Sequence, residues 1–155
     1  MDMSYLNPLP EWEDLHLDKD EAWKWKEALE AAEKLYCQWR EVFGLVMAFI
    51  ETLPEEENES LSTKSMICQN AYIVAPKIIS ASGDTLYQVK MENAALIRFN
   101  CNQMWEQVGF AVLTNKADVA HEEVIEEALN KFKELFRNWV ATFKRDEYED
   151  EWGLF

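Results

Sequence analysis

The sequence predicts an all-α protein: an antiparallel up-down-up-down four-helix bundle with an extended N-terminal arm and an acidic C-terminal tail. Three observations carry that prediction. Apolar side chains recur in steps of three and four along four long segments, the period of a single helical face. The connections between those segments are short, which favours antiparallel neighbours. The 155 residues hold only 4 Gly and 4 Pro, too few for the many turns of an all-β chain. The length suits one domain. With 48% apolar residues, among them 7 Trp, 8 Phe and 5 Tyr, the chain has core material that disordered sequences lack.

Residues 1–17 read as an arm and 18–145 as the bundle. Pro8 and Pro10 keep the arm extended, while Leu6, Leu9, Trp12 and Leu15 are apolar enough to need a surface to pack on. Helix 1 starts near Asp18, where an N-cap and an acid at Glu21 form a capping box. Its seam runs Trp25, Ala28, Ala32, Leu35, Trp39, Val42, Val46, Phe49, Leu53, flanked by Leu29, Tyr36, Phe43 and Ile50. A stripe this wide faces two neighbours rather than one. Pro54 ends the helix, and an acidic loop follows.

Helix 2 spans Leu61 to Ser82 on Ile67, Ala71, Val74, Ile78 and Ala81. Pro76 inside it removes a backbone bond and predicts a kink, and Gly83 suits the residue after the helix. Asp84 or Thr85 caps helix 3, with Gln88 closing a box from Thr85. The helix 3 seam is Tyr87, Met91, Ala94, Ile97, Cys101, Met104, Val108, Val112. After a turn at residues 114–116, Asp118 caps helix 4, whose seam is Ile125, Leu129, Phe132, Phe136, Trp139 and Phe143. Residues 146–155 read as a frayed acidic tail.

The chain holds 30 acidic and 15 basic side chains, a net charge of −15. That sign repels nucleic-acid backbones and anionic membranes, so neither is expected as a direct partner. No apolar run approaches the ~20 residues of a membrane span. The start of the chain has no basic and apolar leader pattern, so no secretory signal is expected. Three widely spaced cysteines, Cys37, Cys68 and Cys101, suggest no disulfide framework. They suit a reducing, cytoplasmic setting as buried structural thiols.

Charge is unevenly spread. Residues 60–117 hold only three acids (Asp84, Glu92, Glu106) and five bases. Their polar positions are amides, and Gln69, Asn70, Asn93, Asn100, Asn102, Gln103 and Gln107 are the candidate interface, because interface cores are depleted in charge. Two helices enclosed within a monomer are the plainer account of the same composition. Trp12, Trp152 and Phe155, in the terminal segments, are candidate docking anchors, against the plainer account of a solubilising tail.

Catalytic and metal patterns are weak. A di-iron bundle needs two Glu-x-x-His motifs, and the nearest pattern, Asp118-x-x-His121, reads better as a helix start. The cysteines form no close pair for zinc, and no Gly-rich phosphate loop exists. The acids of helices 1 and 4 read as solvated faces, with Glu30–Lys34 and Glu127–Lys131 as ordinary i,i+4 pairs. No cofactor is expected.

In helix 2, the stretch Val74-Ala75-Pro76-Lys77-Ile78-Ile79-Ser80-Ala81-Ser82 keeps a mid-helix proline and Ile79. With the periodicity of residues 61–145, it resembles the small four-helix-bundle proteins encoded in intervening sequences of ribosomal RNA genes. That family includes an accessory variability protein of retroelements. Ile78, Ala81 and Ser82 stand where the family carries Asn, Glu and Gly. The resemblance implies an antiparallel bundle assembling into a ring-like oligomer, often a pentamer. The family's retroelement member is basic and binds nucleic acid, a role at odds with this chain's acidity.

These readings lead to a non-enzymatic helical interaction or accessory protein that self-associates, with a further protein partner as an option. An acidic decoy imitating nucleic acid and binding a basic protein is the second reading. A metal-binding or catalytic bundle is the third.

Overall fold

A computed structural model describes residues 20, 22–55 and 62–154. These form four helices: α1 (Ala22–Thr52), α2 (Thr63–Ser82), α3 (Tyr87–Leu113) and α4 (Val119–Val140). Among the described residues there is no strand. The arm with Trp12, the expected start at Asp18 and most of the acidic loop lie outside the described residues. Helix α2 packs most closely on α3, and α1 on α4; α1 also meets α2, and α3 meets α4 the least.

The wide face of α1 does bury against more than one neighbour. Leu35, Trp39, Val42, Phe43 and Val46 are fully buried, with Tyr36, Phe49 and Ile50 nearly so. The Trp39 ring lies 5.3 Å from Phe132 of α4, and Phe43 sits 5.5 Å from Tyr72 of α2. Trp139 packs edge-on against Phe143 at 4.7 Å. Each such pair adds about 0.5–1.5 kcal/mol beyond area burial. The expected seams of α2 (Ile67, Ala71, Val74, Ile78, Ala81) and of α3 from Ala94 to Val108 are buried. Gln38 ties α1 to α4 by donating to the Ala128 carbonyl at 3.1 Å.

Helix ends follow side-chain chemistry. Ser62 caps α2 by accepting from Ser65 N–H at 3.1 Å. Asp118 caps α4 by accepting from Ala120 N–H at 2.9 Å, as expected, worth about 1 kcal/mol. Helix α2 runs on through the exposed Pro76. Gly83 is its C-cap with φ −85°, so no left-handed residue is used there. That conformation appears instead after α3, at Asn115 with φ 57°. There Lys116 N–H donates to Ala111 and Asn115 N–H to Val112, which satisfies the last carbonyls.

Two expectations are corrected at the start of α3. The box from Thr85 to Gln88 does not form: the N-cap is Leu86, with no side-chain bond of its own. Asp84 instead accepts from Leu86 N–H at 2.8 Å. The orphan Tyr87 N–H donates to Asp146, fifty-nine residues on, at 2.9 Å. Asp146 also accepts from Tyr148 N–H, and the Arg145 guanidinium lies 6.0 Å over the Tyr87 ring. The beginning of the tail is therefore fastened to α3 rather than frayed. Helix α4 stops at Val140, short of Phe143, as Thr142 turns its hydroxyl onto the Trp139 carbonyl at 2.6 Å.

Among the described residues, two buried donors on α1, the Tyr36 hydroxyl and Trp39 Nε1–H, have no hydrogen-bond partner. An unpartnered buried polar group costs about 1–3 kcal/mol. Burial also pushes the Tyr36 phenol above its usual pKa, an effect that the Arg40 charge opposes. Tyr36→Phe removes the stranded hydroxyl and keeps the ring. The expected outcome is a gain of about 1 kcal/mol in urea unfolding; a loss of stability would show that the hydroxyl is satisfied in solution.

Candidate functional site

Helix α4 is amphipathic in the usual sense, acidic outside and apolar inside. Helix α3 differs, because its outward side is also apolar. Leu96, Phe99, Phe110 and Leu113 are 42%, 59%, 50% and 80% exposed. On the neighbouring α2, Tyr72 and Ile73 are exposed as well. A helix with apolar residues on both faces belongs in a larger core or against a partner. Exposed Leu or Phe residues scattered singly mean little, but apolar residues repeated along one side of a helix mark an interaction surface. This set occupies the charge-poor segment of the chain, and depletion of charge is a mark of interface cores.

The candidate interface amides divide into two groups. Asn93 and Asn100 are buried, donating to the carbonyls of Val89 (2.9 Å) and Leu96 (2.8 Å) one turn back on their own helix. Asn70, half-buried, does the same to Met66. These three bond their own helix, and Asn93 and Asn100 lie inside the chain rather than on an outward face. Gln69 and Asn102 are exposed; Gln103 and Gln107 are half-buried. Gln103 donates to Glu106 at 3.3 Å, amid the exposed apolar residues of α3. Of the docking anchors, Trp152 is 86% exposed, whereas Trp12 and Phe155 lie outside the described residues.

Sequence reading missed Leu96, Phe99, Phe110 and Leu113. The signal was available: with Gln103 and Glu106 they recur in steps of three and four, out of phase with the buried seam of Ala94, Ile97, Cys101, Met104 and Val108.

Other chemistry-bearing groups are dispersed. Cys37 is exposed rather than buried, which corrects the expectation of three buried thiols; Cys68 is half-buried and Cys101 buried. Burial pushes the Cys101 thiol up to about 12 and raises that of Cys68, so neither is an activated nucleophile. Among the described residues, no three His, Cys, Asp or Glu side chains converge on a metal-sized site. His121 follows the Asp118 cap, as a helix start should, with its ring 6.3 Å from Phe49. Glu127 pairs with Lys131 at 3.4 Å, but Glu30 pairs with Lys26 rather than Lys34. A cleft of about 420 Å3 between the tail and the start of α3 is lined by Tyr87, Arg145, Asp146, Tyr148 and Asp150. It gathers acids without a nucleophile or a base positioned beside one. The chain matches no family model, no curated protein and no solved structure.

Lys90 is the one buried cation among the described residues. Its ammonium stands 5.2 Å from the Trp25 ring and 5.5 Å from Phe143, a cation–π bracket joining α1, α3 and the chain after α4. Burial holds Lys90 below the ordinary lysine value of 10.5, with Asp84 opposing that shift. A base with a depressed folded pKa is more protonated when unfolded, so stability rises as pH climbs from the folded value towards 10.5. In urea titrations from neutral pH upward, wild type is expected to gain stability relative to Lys90→Met. A pH-independent difference between the two would contradict the burial of a charged amine.

Proposed function

We propose that the chain is a non-enzymatic helical interaction protein that self-associates through the outward side of α2 and α3. The observation that carries this reading is the exposed apolar set of α3 lying in the charge-poor segment. Burying it would remove apolar area from water at roughly 25 cal/mol per Å2, and few like charges oppose the approach of a second copy there. A further protein partner could use the same surface.

The proposal includes the antiparallel up-down-up-down architecture. Trp39 meets Phe132 while Phe49, ten residues on, meets His121, eleven residues back; this supports opposite directions for α1 and α4. The starts of α1 and α3 and the end of α4 meet at Lys90, which supports the same order for α3. Pro76 inside α2 is what supports kinship with the bundle family of ribosomal RNA intervening sequences. Among the described residues, no helix is long and apolar enough to cross a membrane. The free thiols support a reducing, cytoplasmic setting.

A second reading rests on the packing of α1 against α4. It leaves Glu27, Glu30 and Glu33 exposed on α1 and Glu123, Glu126 and Glu127 exposed on α4, two separate groups of carboxylates suited to occupying a basic protein. That reading predicts salt-sensitive binding to such a protein.

Native mass spectrometry of the untagged chain tests the first reading. The expected outcome is a multiple of 18.2 kDa with no added mass. A monomer across the concentrations where the surface should be occupied would contradict it and leave the acidic surface as the reading to test.

A further inference from the structure

We infer that the outward stripe of α3 pairs with the same stripe of a second copy, running antiparallel about a two-fold axis level with Met104 and Trp105. This rests on the self-association reading and adds the identity and direction of the partner helix.

The stripe is Leu96, Phe99, Gln103, Glu106, Phe110 and Leu113. Its steps are three, four, three, four and three, the heptad spacing of helices that meet along a seam. At 1.5 Å per residue it extends about 26 Å. Read from either end, the order of residue types is the same: Leu, Phe, a polar side chain, a polar side chain, Phe, Leu. When two copies run antiparallel, Leu96 faces the other copy's Leu113 and Phe99 its Phe110. A closed two-fold pair needs this property, because the same patch must complement itself.

The centre selects the direction. Within one chain the Gln103 amide already donates to Glu106 at 3.3 Å. In the antiparallel pair each Gln103 stands opposite the other copy's Glu106, a donor facing an acceptor, twice per dimer. A parallel pair sets Glu106 against Glu106, two like charges in contact. A polar pair within an apolar seam fixes register at some cost in affinity. The half-exposed Phe99 and Phe110 offer roughly 200 Å2 per copy, against about 800 Å2 per partner in a standard interface. Adding the two Leu residues and the amide rim gives a small, reversible contact, so the dimer should be concentration-dependent.

Sedimentation velocity on the full untagged chain, from about 1 to about 100 μM, brackets micromolar association. The expected result is a monomer–dimer equilibrium. Phe99→Asp and Phe110→Asp, both at exposed positions, should each weaken it at least about tenfold with the helical circular dichroism intact. Gln103→Lys should tighten it roughly threefold to tenfold, because each new ammonium meets the other copy's Glu106. A monomer throughout overturns this pairing and the self-association reading together. A larger ring, or a dimer indifferent to both aspartates, overturns the pairing alone. Weaker association of Gln103→Lys also overturns it, since only a parallel pair sets lysine against lysine.

Discussion

A surplus of negative charge is the constraint on which the rest of this structure depends. Fifteen uncompensated acids cannot be enclosed in a core, and crowding them opposes compaction. The chain places them in its two terminal segments, the acidic loop of residues 55–59, α1 and α4. Helices α1 and α4 can carry that load because each also presents a strong apolar side, and they pack on each other. Trp39, Phe132 and Trp139 supply the buried aromatic area between them. The middle of the chain is thereby left nearly uncharged, and α2 and α3 can come together closely. The same segregation leaves α3 with an outward side that no acid shields except Glu92 and Glu106.

One end of the bundle is gathered around a single buried base. Lys90, bracketed by Trp25 and Phe143, draws three separate stretches of chain together. One turn away, Asp146 receives the first N–H of α3. A carboxylate at a helix N-terminus also meets the positive end of the helix dipole. A few of the many acids thus have structural partners, and the segment after α4 closes the end of the bundle.

Much of the fold was legible in the sequence because one periodicity governs it. The seams from Leu35 to Leu53, Ile67 to Ala81 and Ala94 to Val108 are buried as their spacing requires, and Asp118 caps α4 as its type requires. What was not legible depends on contacts distant in sequence. Nothing near Tyr87 announces that its cap lies at Asp146. The amides of residues 60–117 were visible as a composition, but composition does not separate Asn93 and Asn100, folded back on their own helix, from Asn102 and Gln103 on the surface. The stripe from Leu96 to Leu113 was hidden by α3 itself: a helix apolar on two faces has no single seam, and the stronger one was read first.

The central claim is that the outward side of α3 is the contact surface of the protein. Hydroxyl-radical footprinting of the untagged chain, dilute and then concentrated, tests it directly. Trp23 and Trp152, at 74% and 86% exposed, serve as aromatic controls outside the stripe. The account predicts that oxidation of Phe99 and Phe110 falls on concentration while Trp23 and Trp152 stay reactive. Unchanged oxidation of the two phenylalanines, or protection of the tryptophans alone, would contradict it.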